Sequence, residues 1–385
     1  MSLTKILGII GGGQLGMMLT EAAKKMPEHI SDVIVLDPTP ECPAARVGAK
    51  QIVADFKDKN AIVELSLESD IITYEIESGD SKVLESLHGE VSINPSPTTL
   101  RTIQDKYLQK QFLSQNNIPV AEFEAIESLE DLKKKITEFQ YPVLLKARRD
   151  AYDGRGNFRI EDHSQIETGY QCFLGRQTMI EKFVDFKVEV SVIATRNIHG
   201  EIATYPLVEN IHKDSILEFT IAPARVNDKI ASDADKIAKK TMEVLHGAGV
   251  FGIEMFVTKD DQVLINEIAP RVHNSGHHTL QSTETSQFEQ HLRAILGLPL
   301  GSTRLKHSTV MCNILGPRDF SGRYKPITLE QKDGVYLKMY YKDEAKPQRK
   351  LGHFNVVDEK DTKNIELLIK RAQEIRNTIK FIPQN

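Results

Sequence analysis

Short apolar runs alternate with amphipathic stretches through the first 95 residues. Residues 5–10 and 32–36 read as buried strands, and 70–74 and 91–94 as two more. Residues 14–25 read as a helix with Leu15, Met18, Leu19 and Ala22 on one face. Apolar strands this short, separated by helices, predict a parallel sheet with helices on both faces. The stretch 38–48, with its three prolines, reads as a loop, and 97–116 as one helix that breaks before Pro119. Residues 119–184 predict a compact unit: a strand, a helix over 129–139 behind an N-cap at Ser128, a strand over 142–146, a glycine-containing loop, and a strand over 178–184. Alternation over 186–225 predicts antiparallel strands, and 228–247 an amphipathic helix. Ser286 and Glu289 fit a capping box ahead of a helix with Phe288, Leu292, Ile295 and Leu296 on one face. After Pro299 the composition shifts, and 300–385 holds a few strands and a last helix over 362–380.

The most informative pattern is a hairpin followed by a polar loop over 250–278. A turn centred between Asp260 and Asp261 places Glu254 opposite Glu267, while Ile253, Met255, Val257, Leu264 and Ile268 make both strands read as buried. Like charges directly opposite destabilise a hairpin. A bound cation offsets that cost, and two carboxylates with open coordination suit Mg²⁺, which takes oxygen ligands and shares them with phosphates. Without a metal the pair would share a proton, or the hairpin would lie at an edge with its charges outward.

With 385 residues, two or three domains are expected. A net charge of −5 gives no global attraction to nucleic acid or anionic membranes. The three cysteines, Cys42, Cys172 and Cys312, are far apart and form neither a disulfide framework nor a zinc spacing. No apolar run approaches the roughly 18–20 residues that span a bilayer, and the N-terminus lacks secretory character. A cytoplasmic protein is expected.

Gly11–Gly16 fits G-x-G-x-x-G between a strand and a helix, with Asp37 ending the next strand where a dinucleotide fold places its ribose acid. Its alternative is a tight turn whose amides hold any anion. The loop 147–157 is glycine-containing and cationic, and with Lys146 at its base it suits closing over phosphates. Residues 179–184, followed by Glu189, suit a connector between lobes that pairs with a nucleotide base. Arg271, His273, Asn274, Ser275 and His277 crowd the loop after Glu267 and read as a substrate-anion site, with zinc the weaker option. The basic turn 346–353 offers a second reach to a phosphate.

In this order the pieces resemble the ATP-grasp enzymes and, among them, the 5-(carboxyamino)imidazole ribonucleotide synthase family. The resemblance covers nearly the whole chain and rests on GGGQLG at 11–16, YEIE at 74–77, YDGRG at 152–156, NEIAPRVHNSGH at 266–277, SQFEQHLRAI at 286–295 and RKLGH at 349–353. It implies an α/β protein: a Rossmann-like parallel-sheet domain over 1–100, an ATP-grasp domain over 101–298 with a lid lobe at about 118–184, and a small C-terminal domain over 299–385. The implied reaction joins aminoimidazole ribonucleotide to bicarbonate with MgATP, through carboxyphosphate, and the implied assembly is a homodimer. Glu254 and Glu267 are implied as Mg²⁺ ligands. Lys106, Lys146, Glu181, Lys182, Phe183, Val184, Glu189, His212, Asn266 and Glu267 are implied around ATP. Tyr152, Asp153, Arg155, Arg271 and Asn274 are implied at the reacting groups, and Gln14, Leu15, Glu75, His273, Ser275, Arg349 and Lys350 around the ribonucleotide and bicarbonate.

Three departures from the family pattern stand out. Asp150 and Ala151 replace two lid glycines, Lys106 replaces a common arginine, which keeps the charge but loses bidentate geometry, and KPQRK replaces RPGRK. The end at Asn385 leads one to expect no fused mutase domain. The competing readings are a formate-dependent glycinamide ribonucleotide formyltransferase, an NAD-dependent oxidoreductase built on Gly11–Gly16, and a nucleotide sensor without turnover.

Overall fold

A computed structural model describes residues 4–87, 89–150, 156–325, 327–329, 333–362 and 364–384. The chain opens with β1 (Lys5–Ile10), α1 (Gln14–Ala23), β2 (Ile30–Leu36), α2 (Pro43–Arg46), β3 (Lys50–Ile52), α3 (Lys59–Leu67), β4 (Ile71–Tyr74), α4 (Ser81–Ser86) and β5 (Ser92–Ile93). The strands pair in parallel, in the order β3-β2-β1-β4-β5, as the alternation predicts. Leu7 and Ile9 of β1 pack with Met17 and Met18 of α1 on one face, and Ile10 packs with Ile62, Leu65 and Tyr74 on the other. The stretch expected to be a loop contains α2, with Pro43 in its first turn, where a missing N–H leaves no helix bond unmade.

The helix expected over 97–116 is two helices, α5 (Pro97–Gln104) and α6 (Lys106–Gln115). Asp105 separates them in an extended conformation and caps α6, accepting from the N–H groups of Tyr107 and Leu108 at 3.1 and 3.3 Å. Next come β6 (Phe123–Ile126), α7 (Leu129–Phe139), β7 (Val143–Ala147), β8 (Asn157–Ile160), α8 (Ile166–Gln171) and β9 (Thr178–Lys182). They form an antiparallel sheet in the order β6-β9-β7-β8, packed on helix residues Leu132, Ile136 and Ile166. Ser128 caps α7 as expected. β8 and α8 went unread because each is only a few residues long and carries few apolar positions.

A large sheet holds β10 (Phe186–Arg196), β11 (Ile202–Thr204), β12 (Val208–Lys213), β13 (Ile216–Ala222), β14 (Gly249–Thr258), β15 (Val263–Ala269) and β16 (Thr309–Leu315). Between β13 and β14 runs α9 (Asp228–Val244), and between β15 and β16 lie α10 (Thr279–Ser282) and α11 (Gln287–Leu296). β17 (Gly322–Arg323) and β19 (Glu344–Ala345) pair with each other, while β18 (Val335–Met339) and β20 (Lys350–Val357) extend the large sheet through β16. The closing helix is α12 (Ile365–Thr378). Only half of the capping box at α11 forms: Ser286 accepts from the Glu289 N–H, but the Glu289 carboxylate accepts from Arg293. Phe288, Leu292 and Ile295 of α11 pack with α1 residues, joining the N-terminal domain to the large sheet. Among the described residues no helix is long and apolar enough to cross a membrane.

Candidate active site

The hairpin of β14 and β15 sets Glu254 opposite Glu267, the pairing read from the sequence, by a different route. Its turn centres half a residue earlier than expected. Thr258 donates to the Gln262 carbonyl, Asp261 takes φ 63°, and the turn centres on Asp260. A bulge at Asn266 then shifts the register by one between Glu254 and Met255. The two one-residue deviations cancel at the glutamates. β15 ends the strand order of the sheet, but the chain at Pro119 and Val120 covers it, with Ile265 donating to the Pro119 carbonyl.

Glu254 and Glu267 are partly open, with side chains 26% and 39% exposed. Burial pushes Glu254 up to about 7, helped by the charges of Glu267 and Glu189 and opposed by His212. Burial also pushes Glu267 upward, but Lys106, whose Nζ lies 2.5 Å from Oε1, more than reverses it. The same face of the sheet carries Glu189, Ser191, Asn210 and His212, with Glu189 paired to His212. Above it, His273 points Nε2 at Glu254 Oε1 across 3.5 Å. The Ser275 N–H donates to His273 Nδ1 at 3.4 Å, so the ring proton sits on Nε2. Burial holds His273 well below its usual range, hence neutral. Two facing carboxylates with open lone pairs fit a hard oxygen-preferring cation. Among the described residues no three His, Cys, Asp or Glu side chains gather as a metal set, so such an ion would draw its remaining ligands from substrate or water.

The lysines come from two elements. Lys146, on β7, donates to Glu181 Oε1 at 2.8 Å, and Lys110, on α6, lies 3.0 Å from Glu181 Oε2. Burial raises the Glu181 carboxyl, but the two ammonium groups win and hold it at about 2. Asp105 fixes the base of this cluster, bound by Arg148 through Nε and Nη2 at 3.0 and 2.7 Å and by Arg149 at 3.2 Å. Lys182 pairs with Glu122, the Arg159 guanidinium stacks on Phe183, and Val184 lies just past the end of β9. Tyr152, Asp153 and Arg155 lie outside the described residues. Asp150, in place of a usual lid glycine, takes φ 54°, a conformation that asparagine and aspartate tolerate better than other side chains.

The glycine turn differs from the dinucleotide reading. Glu75 accepts from the N–H groups of Gly13 and Gly16 at 2.6 and 2.8 Å, and Asp37 accepts from Gly12 at 2.8 Å and from Thr39. Protein carboxylates thus fill the amides a pyrophosphate would need, and the NAD reading fails at this point. A Cβ on Gly13 would stand 2.7 Å from Glu75 Oε1, so glycine here makes room for a carboxylate, not a cofactor. Glu75 is therefore a helix cap, and the Leu15 side chain is core. Gln14 accepts from Lys342 Nζ at 2.8 Å, which also donates to the Lys350 carbonyl at 2.9 Å. Burial, with Arg349 and Lys350 nearby, pulls Lys342 down to about 8. Arg349 donates to the Glu344 carbonyl. Arg271 pairs with Glu77 at 2.9 Å.

Asn274, implied at the reacting groups, exchanges two hydrogen bonds with Asn313, and Ser275, implied at the substrate, is buried between His273 and Ser191 on the glutamate face of the sheet. His277 and His278 are fully buried. Sequence reading missed Lys342, Glu77, Asp105 and Lys110. Lys110 left a trace, one helical turn after Lys106, and Glu77 closes the YEIE run at 74–77; Lys342 and Asp105 sit in no motif.

Comparison with known proteins agrees with this geometry. Family profiles match a ribonucleotide synthetase preATP-grasp domain over 4–104, an ATP-grasp domain over 111–288 and a phosphoribosylaminoimidazole carboxylase C-terminal domain over 309–366. The N5-carboxyaminoimidazole ribonucleotide synthase of Bacillus subtilis is 38% identical, across 94% of this chain and 93% of that protein. The N5-carboxyaminoimidazole ribonucleotide synthetase of Thermotoga maritima superposes with a TM-score of 0.89 at 44% identity, covering 99% of this chain and 100% of that one. The Aspergillus clavatus enzyme, solved with ADP and 5-aminoimidazole ribonucleotide, superposes with a TM-score of 0.87 at 34% identity, covering 97% and 99%. Yeast relatives named phosphoribosylaminoimidazole carboxylase are longer, and the chain spans 64 to 70% of their length.

Proposed function

This chain belongs to the N5-carboxyaminoimidazole ribonucleotide synthase family of ATP-grasp ligases, and we propose on that premise that it carboxylates 5-aminoimidazole ribonucleotide with bicarbonate, converting ATP to ADP and phosphate in purine biosynthesis. The observation that carries the reading is the facing pair Glu254 and Glu267, with Lys106 on one of them and Arg271 and His273 on the loop above.

Bicarbonate is a poor electrophile. Transfer of the γ-phosphoryl group to it gives carboxyphosphate, whose carbon the ribonucleotide amine attacks; phosphate leaves and the nitrogen loses a proton. Such a transfer needs positioning and charge neutralisation, not a protein nucleophile. Lys106 and Lys146 meet the ATP phosphates in this reading, and Glu189, His212 and the strand end at Lys182–Val184 lie toward its sugar and base. Arg271 and the neutral His273 hold bicarbonate beside the metal carboxylates. Gln14, Lys342, Arg349 and Lys350 form the ribonucleotide wall, between the first domain and the C-terminal strands. Mg²⁺ held by Glu254 and Glu267, with Asn266 beside them, would neutralise the phosphates. Tyr152, Asp153 and Arg155 belong to the proposed lid, which excludes water from carboxyphosphate. The domain limits 1–100, 101–298 and 299–385, a homodimeric assembly and a cytoplasmic location are part of the same proposal and rest on the family.

ADP release from MgATP, measured with and without each substrate, tests the proposal. Release that requires aminoimidazole ribonucleotide and rises with bicarbonate is expected. Stimulation by glycinamide ribonucleotide and formate instead would overturn it.

A further inference from the structure

Three charged side chains lie buried together outside the metal carboxylates. Lys110, Glu181 and Lys146 are 3%, 1% and 8% exposed. Each oxygen of Glu181 faces one lysine, Oε1 Lys146 at 2.8 Å and Oε2 Lys110 at 3.0 Å. Buried charges are ordinarily paired to neutrality, because an uncompensated one is strongly destabilising. This cluster instead holds two cations and one anion. Glu267, the further carboxylate whose field reaches Lys146, is already paired with Lys106, so the surplus positive charge calls for an anion from outside. Of the two lysines, Lys146 is the more exposed, and it stands on β7 at the start of the loop 147–157, whereas Lys110 is enclosed on the inner face of α6. The Lys110 contact lacks good hydrogen-bond direction, so what it gives Glu181 is chiefly charge.

We propose that Lys110 is a positioning residue: it neutralises Glu181, so that the ammonium of Lys146 keeps its charge for the nucleotide phosphates. The proposal rests on the reading of Lys146 as a phosphate contact. Without Lys110, Glu181 and Lys146 form a closed neutral pair, and an arriving phosphate must compete with a buried carboxylate for the same ammonium. Glu181 remains paired in that variant, so the fold tolerates the loss. A purely structural brace between α6 and β9 makes a different prediction, because its loss would cost as much without the Glu181 charge as with it.

Calorimetric titration of MgADP into the parent and four variants decides between them. Lys110→Met is expected to weaken binding at least about fivefold, within the range of ordinary coupling free energies. On a Glu181→Gln background, whose own affinity is the reference because Glu181 is itself implied around ATP, Lys110→Met is expected to cost little, since no carboxylate is left to capture Lys146. Unchanged affinity in Lys110→Met alone, or a loss on the Glu181→Gln background as large as in the parent, overturns the proposal. Lys146→Met is the control: if it binds MgADP like the parent, the phosphate-contact reading of Lys146 fails instead.

Discussion

Replacing Asp105 dissects how the helix bearing Lys106 and Lys110 is held. Its Oδ1 accepts from the Tyr107 and Leu108 N–H groups and from Arg148 Nε, while Oδ2 accepts from Arg148 Nη2 and Arg149 Nε. Asp105→Asn keeps an acceptor at the first position and turns an NH₂ group toward two guanidinium groups at the second. Hydrogen bonds to charged groups contribute about 1.5–3 kcal/mol each, and breaking a buried ion pair costs about 3–5 kcal/mol. Arg148 and Arg149 keep solvent contact, with side chains 17% and 42% exposed, so about 3 kcal/mol is expected for Asp105→Asn. Asp105→Ala also removes the cap, adding about 1 kcal/mol. The loss is a large part of the roughly 5–15 kcal/mol that holds a domain folded. Urea unfolding followed by circular dichroism, with amide exchange read locally over 106–115, measures both steps. Burial pushes the Asp105 carboxyl up, and the arginine bonds and cap amides bring it below its ordinary value. Its stabilisation is therefore present above the unfolded value of about 3.9 and lost as pH falls through the folded one, so the gap to Asp105→Asn narrows in acid. Equal midpoints for parent and Asp105→Asn, or no further loss in Asp105→Ala, would refute the reasoning.

Three more outcomes follow from the site. Glu267→Gln is expected to keep the circular dichroism spectrum and lower turnover by more than the roughly 10–100-fold cost of losing an outer-shell metal partner; parent-like ADP release would remove Glu267 from the metal site. Lys342 is charged below about 8 and neutral above, so ribonucleotide affinity should fall as pH rises through that value, and Lys342→Met should bind weakly with no such slope in calorimetry between pH 7 and 9. Glu181, held at about 2, stabilises the fold above its unfolded value near 4.3 and loses this as pH falls toward 2. The stability gap between parent and Glu181→Gln should close over that interval in acid titration, and a constant gap would count against the charged cluster.

Helix starts, the parallel first sheet and the glutamate pair were legible because each depends on residues close in sequence. Ser128 and Ser286 cap the helices that follow them, and the apolar runs of β1, β2 and β4 mark a sheet buried on both faces. Even there, the hairpin pairing survived only because a displaced turn centre and a bulge at Asn266 offset each other. Neither deviation has a composition signal strong enough to read in advance. The split at Asp105 was hidden because its arginine partners lie 43 and 44 residues further on.

The sequence by itself determined the longer helices and strands, where the core stripes run, and that two carboxylates share one face of a hairpin, since periodicity, capping and turn chemistry act over a few residues. Only the tertiary structure decided what the glycine turn holds. Glu75 reaches it from 62 positions away and replaces the phosphate that the same motif binds elsewhere. It also decided that Lys342 faces Gln14 across 328 positions, and that Lys110 and Lys146 meet on one carboxylate. Those contacts follow from which buried surfaces close on one another, and that choice belongs to the packing of the whole chain.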